Sequence, residues 1–239
     1  MIISHQHKFI FIKTRKTAGS SIEIALSSIC GSNDIITPLN EVKDEKHRIS
    51  LGFKSAQNYQ FPLYKYTIGD VYRRLLYGYV KEFRNHNPAV LVKKLMRNER
   101  YDSYYSFAVE RNPWDKVLSH YWYLGGDTEF GSINNYLDSR AVEVIKDFKN
   151  YTDSRGELIV SNIYKYEELS DMFEDLTNKL SLKNRLVLPT YKAKSTQRID
   201  KRHYNEVLSV DEAEKIRLIF HREINLLNYS FQDIEMKNH

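Results

Sequence analysis

Phe9-Ile10-Phe11-Ile12-Lys13-Thr14-Arg15-Lys16-Thr17-Ala18-Gly19-Ser20-Ser21-Ile22-Glu23 runs a short apolar strand through a basic, hydroxyl-rich turn straight into a helix. Ser20 and Glu23 have capping-box spacing, Ile22, Leu26 and Ile29 recur at helical intervals, and Gly31 supplies a stop. The spacing therefore predicts a helix whose N-terminus falls at the Ser pair. Its unpaired N–H groups and positive dipole end would face the turn, and Lys16, Thr17, Ser20 and Ser21 add one charge and three hydroxyls. A phosphate or sulfate suits such a turn. Taken alone, the stretch is equally compatible with an ordinary βα turn carrying a Ser cap and a solvated Arg15/Lys16 pair.

A second strand-to-helix junction shifts that balance. Tyr104 to Val109 reads as a strand, Asn112 is placed to cap a helix, and Pro113 suits its first position. Arg111 then sits at the strand end and Ser119 about two helical turns further on. A guanidinium and a hydroxyl so arranged can grip a second phosphate, the guanidinium through two N–H groups.

Lys16-Thr17-Ala18-Gly19-Ser20-Ser21 and Arg111-Asn112-Pro113-Trp114-Asp115-Lys116-Val117-Leu118-Ser119-His120-Tyr121 together resemble the paired motifs of sulfotransferases that use 3′-phosphoadenosine 5′-phosphosulfate (PAPS), in the carbohydrate-type and bacterial branch. The resemblance implies an α/β fold with a P-loop-like, mostly parallel sheet flanked by helices. It implies that the first motif, with Arg15 beside it, holds the 5′-phosphosulfate, and that Lys16 stabilises charge on the leaving group. Arg111 and Ser119 would hold the 3′-phosphate. His86, ahead of the helix expected from Pro88, falls where many bacterial members carry a histidine, and the resemblance makes it the base. At the positive end of that helix it should be kept neutral. His47 is a reserve candidate, weighed against a solvated histidine in a charged loop. Tyr166-Glu167-Glu168-Leu169 and Tyr229-Ser230-Phe231 resemble the family's strand end and tail, and Lys194 and Arg198 lie in a basic segment where the family closes over the nucleotide.

The activity implied by the resemblance is sulfuryl transfer from PAPS to an acceptor hydroxyl, expected on a carbohydrate, releasing adenosine 3′,5′-bisphosphate without a metal. A P-loop kinase is disfavoured because Walker A needs Lys after its second Gly, whereas Lys16 precedes Gly19. A nucleic-acid-binding module is disfavoured because no helix-turn-helix, zinc-finger or RNP pattern occurs. Lys plus Arg number 36 against 31 Asp plus Glu, an excess of +5 that suits an anionic ligand but equally a generic basic surface.

Residues 1–239 read as one domain, since no Gly-, Pro- or Ser-rich linker divides them and a hydrophobic content of 41% argues against disorder. The stretch 31–85 is expected to be a variable insertion on the acceptor side. The single cysteine, Cys30, excludes an intramolecular disulfide and a Cys-based metal cluster. No apolar run reaches the length of a membrane span and no signal-peptide pattern opens the chain, so a cytoplasmic protein is expected; because eukaryotic carbohydrate sulfotransferases usually carry a Golgi membrane anchor, the resemblance then implies a bacterial or viral source. Ile68, Val71, Tyr72, Leu75, Leu76 and Tyr79 form an i, i+3, i+4 stripe expected to pack into the core rather than against a membrane or partner. Tyr59, Tyr64 and Tyr66 are candidates for stacking on sugar rings or bases, or simply surface tyrosines.

Overall fold

In the computed structural model, residues 1–189, 200 and 202–232 are described. Along the chain come β1 (Ile2–Ser4), β2 (Phe9–Ile12), α1 (Gly19–Ser27), β3 (Ile35–Ile36), α2 (Val42–Ser50), α3 (Ile68–Tyr77), α4 (Ala89–Met96), α5 (Asn98–Asp102), β4 (Tyr105–Glu110) and α6 (Pro113–Tyr123). The second half adds α7 (Asp127–Phe130), α8 (Ile133–Asp138), α9 (Phe148–Tyr151), β5 (Asn162–Lys165), α10 (Leu169–Lys179), α11 (Tyr204–Val207), α12 (Val210–Ile219) and α13 (His221–Leu227).

The protein is α/β, with a central five-stranded sheet in the order β3-β1-β2-β4-β5 and helices around it. β2, β4 and β5 pair in parallel, with Phe11 beside Phe107 and Val109 beside Tyr164. β1 runs against β2 and against β3, so one reversed strand sits in a sheet that is otherwise parallel, as the expected mostly parallel sheet allows. β1 and β3 escape sequence reading because so few residues form them.

Both faces of the sheet are covered, which is why β2 is apolar at every position rather than alternating. Phe9 and Phe11 pack with Phe107 against Ile22 and Leu26 of α1 and Phe173 and Leu176 of α10. Ile10 and Ile12 face the other way, onto Ala89, Val92 and Met96 of α4. A third cluster, built on Trp114, Val117 and Tyr121 of α6, packs with Tyr136, Ile216 and Phe220. α12 and α13 follow one another directly, the helix being broken at buried Phe220.

Two expectations fail. The capping box at Ser20 and Glu23 does not form: α1 starts at Gly19 behind Ala18, and Glu23 is buried in an ion pair with Lys13. The amphipathic stripe on α3 builds no core, since not one residue of that helix is buried. Periodicity identified its apolar face correctly but could not say whether anything in the chain would cover it.

Candidate functional site

β2 and β4 are neighbours in the parallel part of the sheet, so the turns after them open side by side at its C-terminal edge, where ligands of α/β sheets bind. A direct bond joins the two turns: Arg111 Nη1 donates to the Lys16 carbonyl at 3.0 Å. The Arg111 guanidinium also lies 4.2 Å from the Tyr166 ring centre and donates from Nε to Asp115 Oδ2 at 2.8 Å and from Nη2 to the same oxygen. Asp115 thus takes the paired donors expected to grip a phosphate. One N–H on each terminal nitrogen is left over, by the donor count of a guanidinium.

The first turn is tightly specified. Lys16 and Ala18 adopt left-handed conformations, φ 61° and 56°, and the helix's first backbone bond runs from Ile22 N–H to Ala18 O. The N–H groups of Gly19, Ser20 and Ser21 therefore precede the hydrogen-bonded ladder, and no side chain caps them. Ser20 and Ser21 hydroxyls make no hydrogen bond among the described residues, whereas Thr17 is buried and bonded to Thr14 Oγ1 at 2.9 Å. Thr14 in turn donates to the Val109 carbonyl, tying the turn to β4. Gly19 is required by packing: a Cβ there would lie 2.9 Å from Cγ and Cε of Lys13.

Asp115, Ser119 and Tyr123 fall at steps of four along α6 and so share one face, which Arg111, just ahead of the helix, meets through Asp115. Lys16 spans that face, its carbonyl at Arg111 and its ammonium 4.1 Å from the Tyr123 ring centre. Half-buried Ser119 lies between these two contacts and makes no side-chain hydrogen bond among the described residues. The sequence-predicted residues Lys16, Gly19, Ser20, Ser21, Arg111 and Ser119 thus lie on the two joined turns and the helices that begin from them. Lys194 and Arg198 lie outside the described residues.

Beside the first turn is a cleft of about 530 Å³ lined by Arg15, Asn40, Tyr59, Arg84, His86 and their neighbours. Most of its lining comes from the stretch 31–85 that the sequence marks as variable. His86 Nδ1 lies 3.0 Å from the Lys13 carbonyl, which can only accept, so this nitrogen carries the proton and Nε2 keeps its lone pair. Burial first, then the charges of Lys13 and Arg15, hold the imidazole down to about 4, so it is neutral at pH 7. Burial and two cations thus do what was expected of the helix dipole; α4 itself starts at Ala89, one residue later than expected. His47 belongs to α2 rather than to a loop, and does not line the cleft.

Sequence reasoning missed three contributors. Asp147 is fully buried and accepts from Arg15 N–H at 2.7 Å, Arg15 Nη1 at 3.0 Å and Lys116 Nζ at 3.0 Å. Glu110 accepts from the same ammonium at 2.7 Å, while burial pushes its carboxyl up to about 7 against the opposing pull of Lys116. His120, beside Ser119, is bonded to Tyr136 at 2.8 Å, and burial followed by the Lys16 charge lowers it to about 4. Charged residues at the strand end and first helical turn were the available signal for Glu110 and Lys116, but Asp147 meets partners too distant in sequence for any pattern to show.

The outer segments close on the same junction. Glu167 accepts from Asn112 N–H at 2.8 Å and from Tyr229 Oη at 3.0 Å, and Tyr229 also lies 3.2 Å from the Glu110 carbonyl. Chemically, the arrangement offers two adjoining turns that each suit an anion, an ammonium beside them, and a neutral imidazole facing a polar cleft.

No protein-family model matches the chain. An uncharacterised protein of Archaeoglobus fulgidus is 31% identical over 103 residues, 41% of this chain and 86% of that protein. The chain belongs to one family with that archaeal protein, whose activity its description does not state. Among solved structures, a sulfotransferase from Alicyclobacillus acidocaldarius aligns over 93% of this chain and 98% of its own, with a TM-score of 0.41 and 18% identity. That likeness is too weak to assign an activity.

Proposed function

We propose that the protein is a PAPS-dependent sulfotransferase acting on a hydroxyl, most readily that of a carbohydrate. The observation that carries this reading is the Arg111 to Lys16 hydrogen bond, which joins two turns that each suit an anion. The residues present fit the nucleotide. N–H groups of Gly19, Ser20 and Ser21, the two Ser hydroxyls and Lys16 would receive the 5′-phosphosulfate, while the remaining Arg111 donors and Ser119 would receive the 3′-phosphate. Bound there, PAPS supplies a sulfuryl group already activated on a phosphate leaving group.

Lys16 and the helix N-terminus then act on charge, favouring the state in which it accumulates on the departing phosphate. Arg15, held at its N–H and guanidinium by Asp147, keeps the turn in register with the cleft. His86 Nε2 accepts the proton of the acceptor hydroxyl as its oxygen bonds to sulfur, and Nδ1–H anchors the ring to the Lys13 carbonyl throughout. Asn40, Asn87 and Tyr59 give the cleft neutral hydrogen-bonding groups and an aromatic face among the charges of Arg15, Glu82 and Arg84, a mixture that suits the hydroxyls and ring of a sugar.

The test is transfer of labelled sulfate from PAPS to a panel of sugars, glycans and simple alcohols in excess EDTA. Transfer that survives chelation, with ATP neither hydrolysed nor used as donor, supports the reading. Magnesium-dependent ATP turnover without sulfate transfer would replace it with a kinase.

A further inference from the structure

Residues 61–81 leave the cleft rim and return to it. Gln60 bridges Glu82, Phe61 N–H donates to Lys81 O at 2.9 Å, Phe83 N–H donates to Tyr59 O at 2.8 Å, and the Phe61 and Phe83 rings lie 4.9 Å apart. Beyond this root the excursion is α3, held at both ends by its own sequence. Thr67 and Asp70 form a reciprocal capping box, and Gly78 ends the helix at φ 64°. Lys81 reaches back to Asp70 at 2.8 Å, and its N–H to Tyr66 Oη at 2.8 Å.

A ten-residue helix is marginal on its own, and this one displays its apolar side to water. Ile68 is 92% exposed, Leu75 80% and Tyr72 63%, and Val71 and Leu76 share their face. Tyr64, ahead of the helix, is 83% exposed. The charge around the stripe has one sign. Lys65, Arg73, Arg74, Lys81 and Arg84 stand against only Asp70 and Glu82, and those two acids already pair with Lys81 and Arg84. Arg73 and Arg74 flank the stripe and make no ion pair among the described residues.

We infer that α3 is an interfacial arm that lays this face into an anionic lipid surface. Apolar stripe, tyrosines at its margin and flanking arginines are what an in-plane amphipathic helix needs, the arginines meeting phosphate headgroups as the apolar side chains enter the acyl boundary. A second copy of the chain fits less well. A helix about 15 Å long offers roughly 300 Å² of face, well short of the ~800 Å² per partner of a stable interface. The arm springs from Tyr59, Phe83 and Arg84, which line the cleft beside His86. Joined to the proposed transfer reaction, on which this step alone rests, docking makes the acceptor a hydroxyl on a lipid headgroup.

The experiment is flotation of the full chain with phosphatidylcholine vesicles with and without phosphatidylglycerol. Wild type should float with the anionic vesicles, and on the order of tenfold less with neutral ones or at high salt. Ile68→Asp/Leu75→Asp should abolish flotation, and Arg73→Ala/Arg74→Ala should weaken it tenfold or more on anionic vesicles only. These side chains are exposed, so melting temperature and adenosine 3′,5′-bisphosphate affinity should stay at wild-type values in both variants. Wild type left among the vesicle-free protein at low salt, or flotation unchanged in the Asp variant, overturns the arm. A dimer in sedimentation that the Asp variant dissociates, without vesicle binding, overturns it in favour of a second copy. Vesicle binding with no bisphosphate binding would instead strike the transfer reading and leave the arm standing.

Discussion

Replacing Asp147 with Ala should cost both stability and, on the proposed function, nucleotide affinity, because that one carboxylate holds the turn after β2 and a buried ammonium together. Four donors meet it: Arg15 N–H at 2.7 Å, Arg15 Nη1 at 3.0 Å, Lys116 Nζ at 3.0 Å and Asn150 Nδ2 at 2.6 Å. Breaking a buried ion pair from one side costs about 3–5 kcal/mol, since the partner charge stays behind without water. Lys116 keeps Glu110 at 2.7 Å, and loss of the neighbouring negative charge makes Glu110 easier to ionise. The low end, about 3 kcal/mol, is therefore expected. For a chain of this size that lowers the melting temperature by roughly 6–12 °C. Asp147→Asn keeps an acceptor for Arg15 N–H and should lose less, which separates the hydrogen bond from the charge. Thermal melts by circular dichroism and titration with adenosine 3′,5′-bisphosphate read both effects. Asp147→Ala with a loss under about 1 kcal/mol and unchanged affinity would refute the claim that this carboxylate anchors the turn.

His86→Ala should lower turnover by about 10²–10⁴-fold with bisphosphate affinity nearly unchanged, while His47→Ala should stay near wild type in a sulfate-transfer assay. The folded His86 titrates at about 4 against an unfolded value near 6.5, so the folded state binds fewer protons between the two. Its contribution to stability is complete above about pH 6.5 and is lost as pH falls toward 4, and a His86→Gln variant should show a shallower acid loss in denaturant titrations. The acid limb of kcat/KM should likewise fall near pH 4 rather than 6.5. Gly19→Ala should destabilise by about 1–3 kcal/mol in urea unfolding, because the new methyl meets the stem of a Lys13 that its pairing with Glu23 holds in place.

The parts of the fold legible in sequence were those written locally. Phe9 to Ile12 leading into a basic turn, and Asn112-Pro113 after an apolar run, mark their junctions within a few residues, and the structure forms both where expected. Glu23 shows the limit of local spacing, because a residue with correct capping-box spacing is worth more as the partner of buried Lys13. On α3 the period was right and the burial wrong, since a hydrophobic stripe does not specify what covers it. The cleft was only hinted at, as a variable stretch, because its walls come from residues 15, 38–40, 59 and 82–87 gathered by folding. Asp147 was invisible for the same reason: its meaning lies in Arg15 and Lys116, which only the fold brings to it.

That the two turns form one nucleotide site is tested most directly by calorimetric titration of adenosine 3′,5′-bisphosphate into wild type, Lys16→Ala and Arg111→Ala. Wild type should bind saturably, with a stabilisation of about 2.7 kcal/mol at roughly 100 times the dissociation constant. Each variant should bind about ten- to a hundredfold more weakly, the worth of one or two hydrogen bonds to a charged group. No heat and an unchanged melting curve with folded wild type at millimolar nucleotide, or affinity indifferent to both substitutions, would contradict a shared nucleotide site.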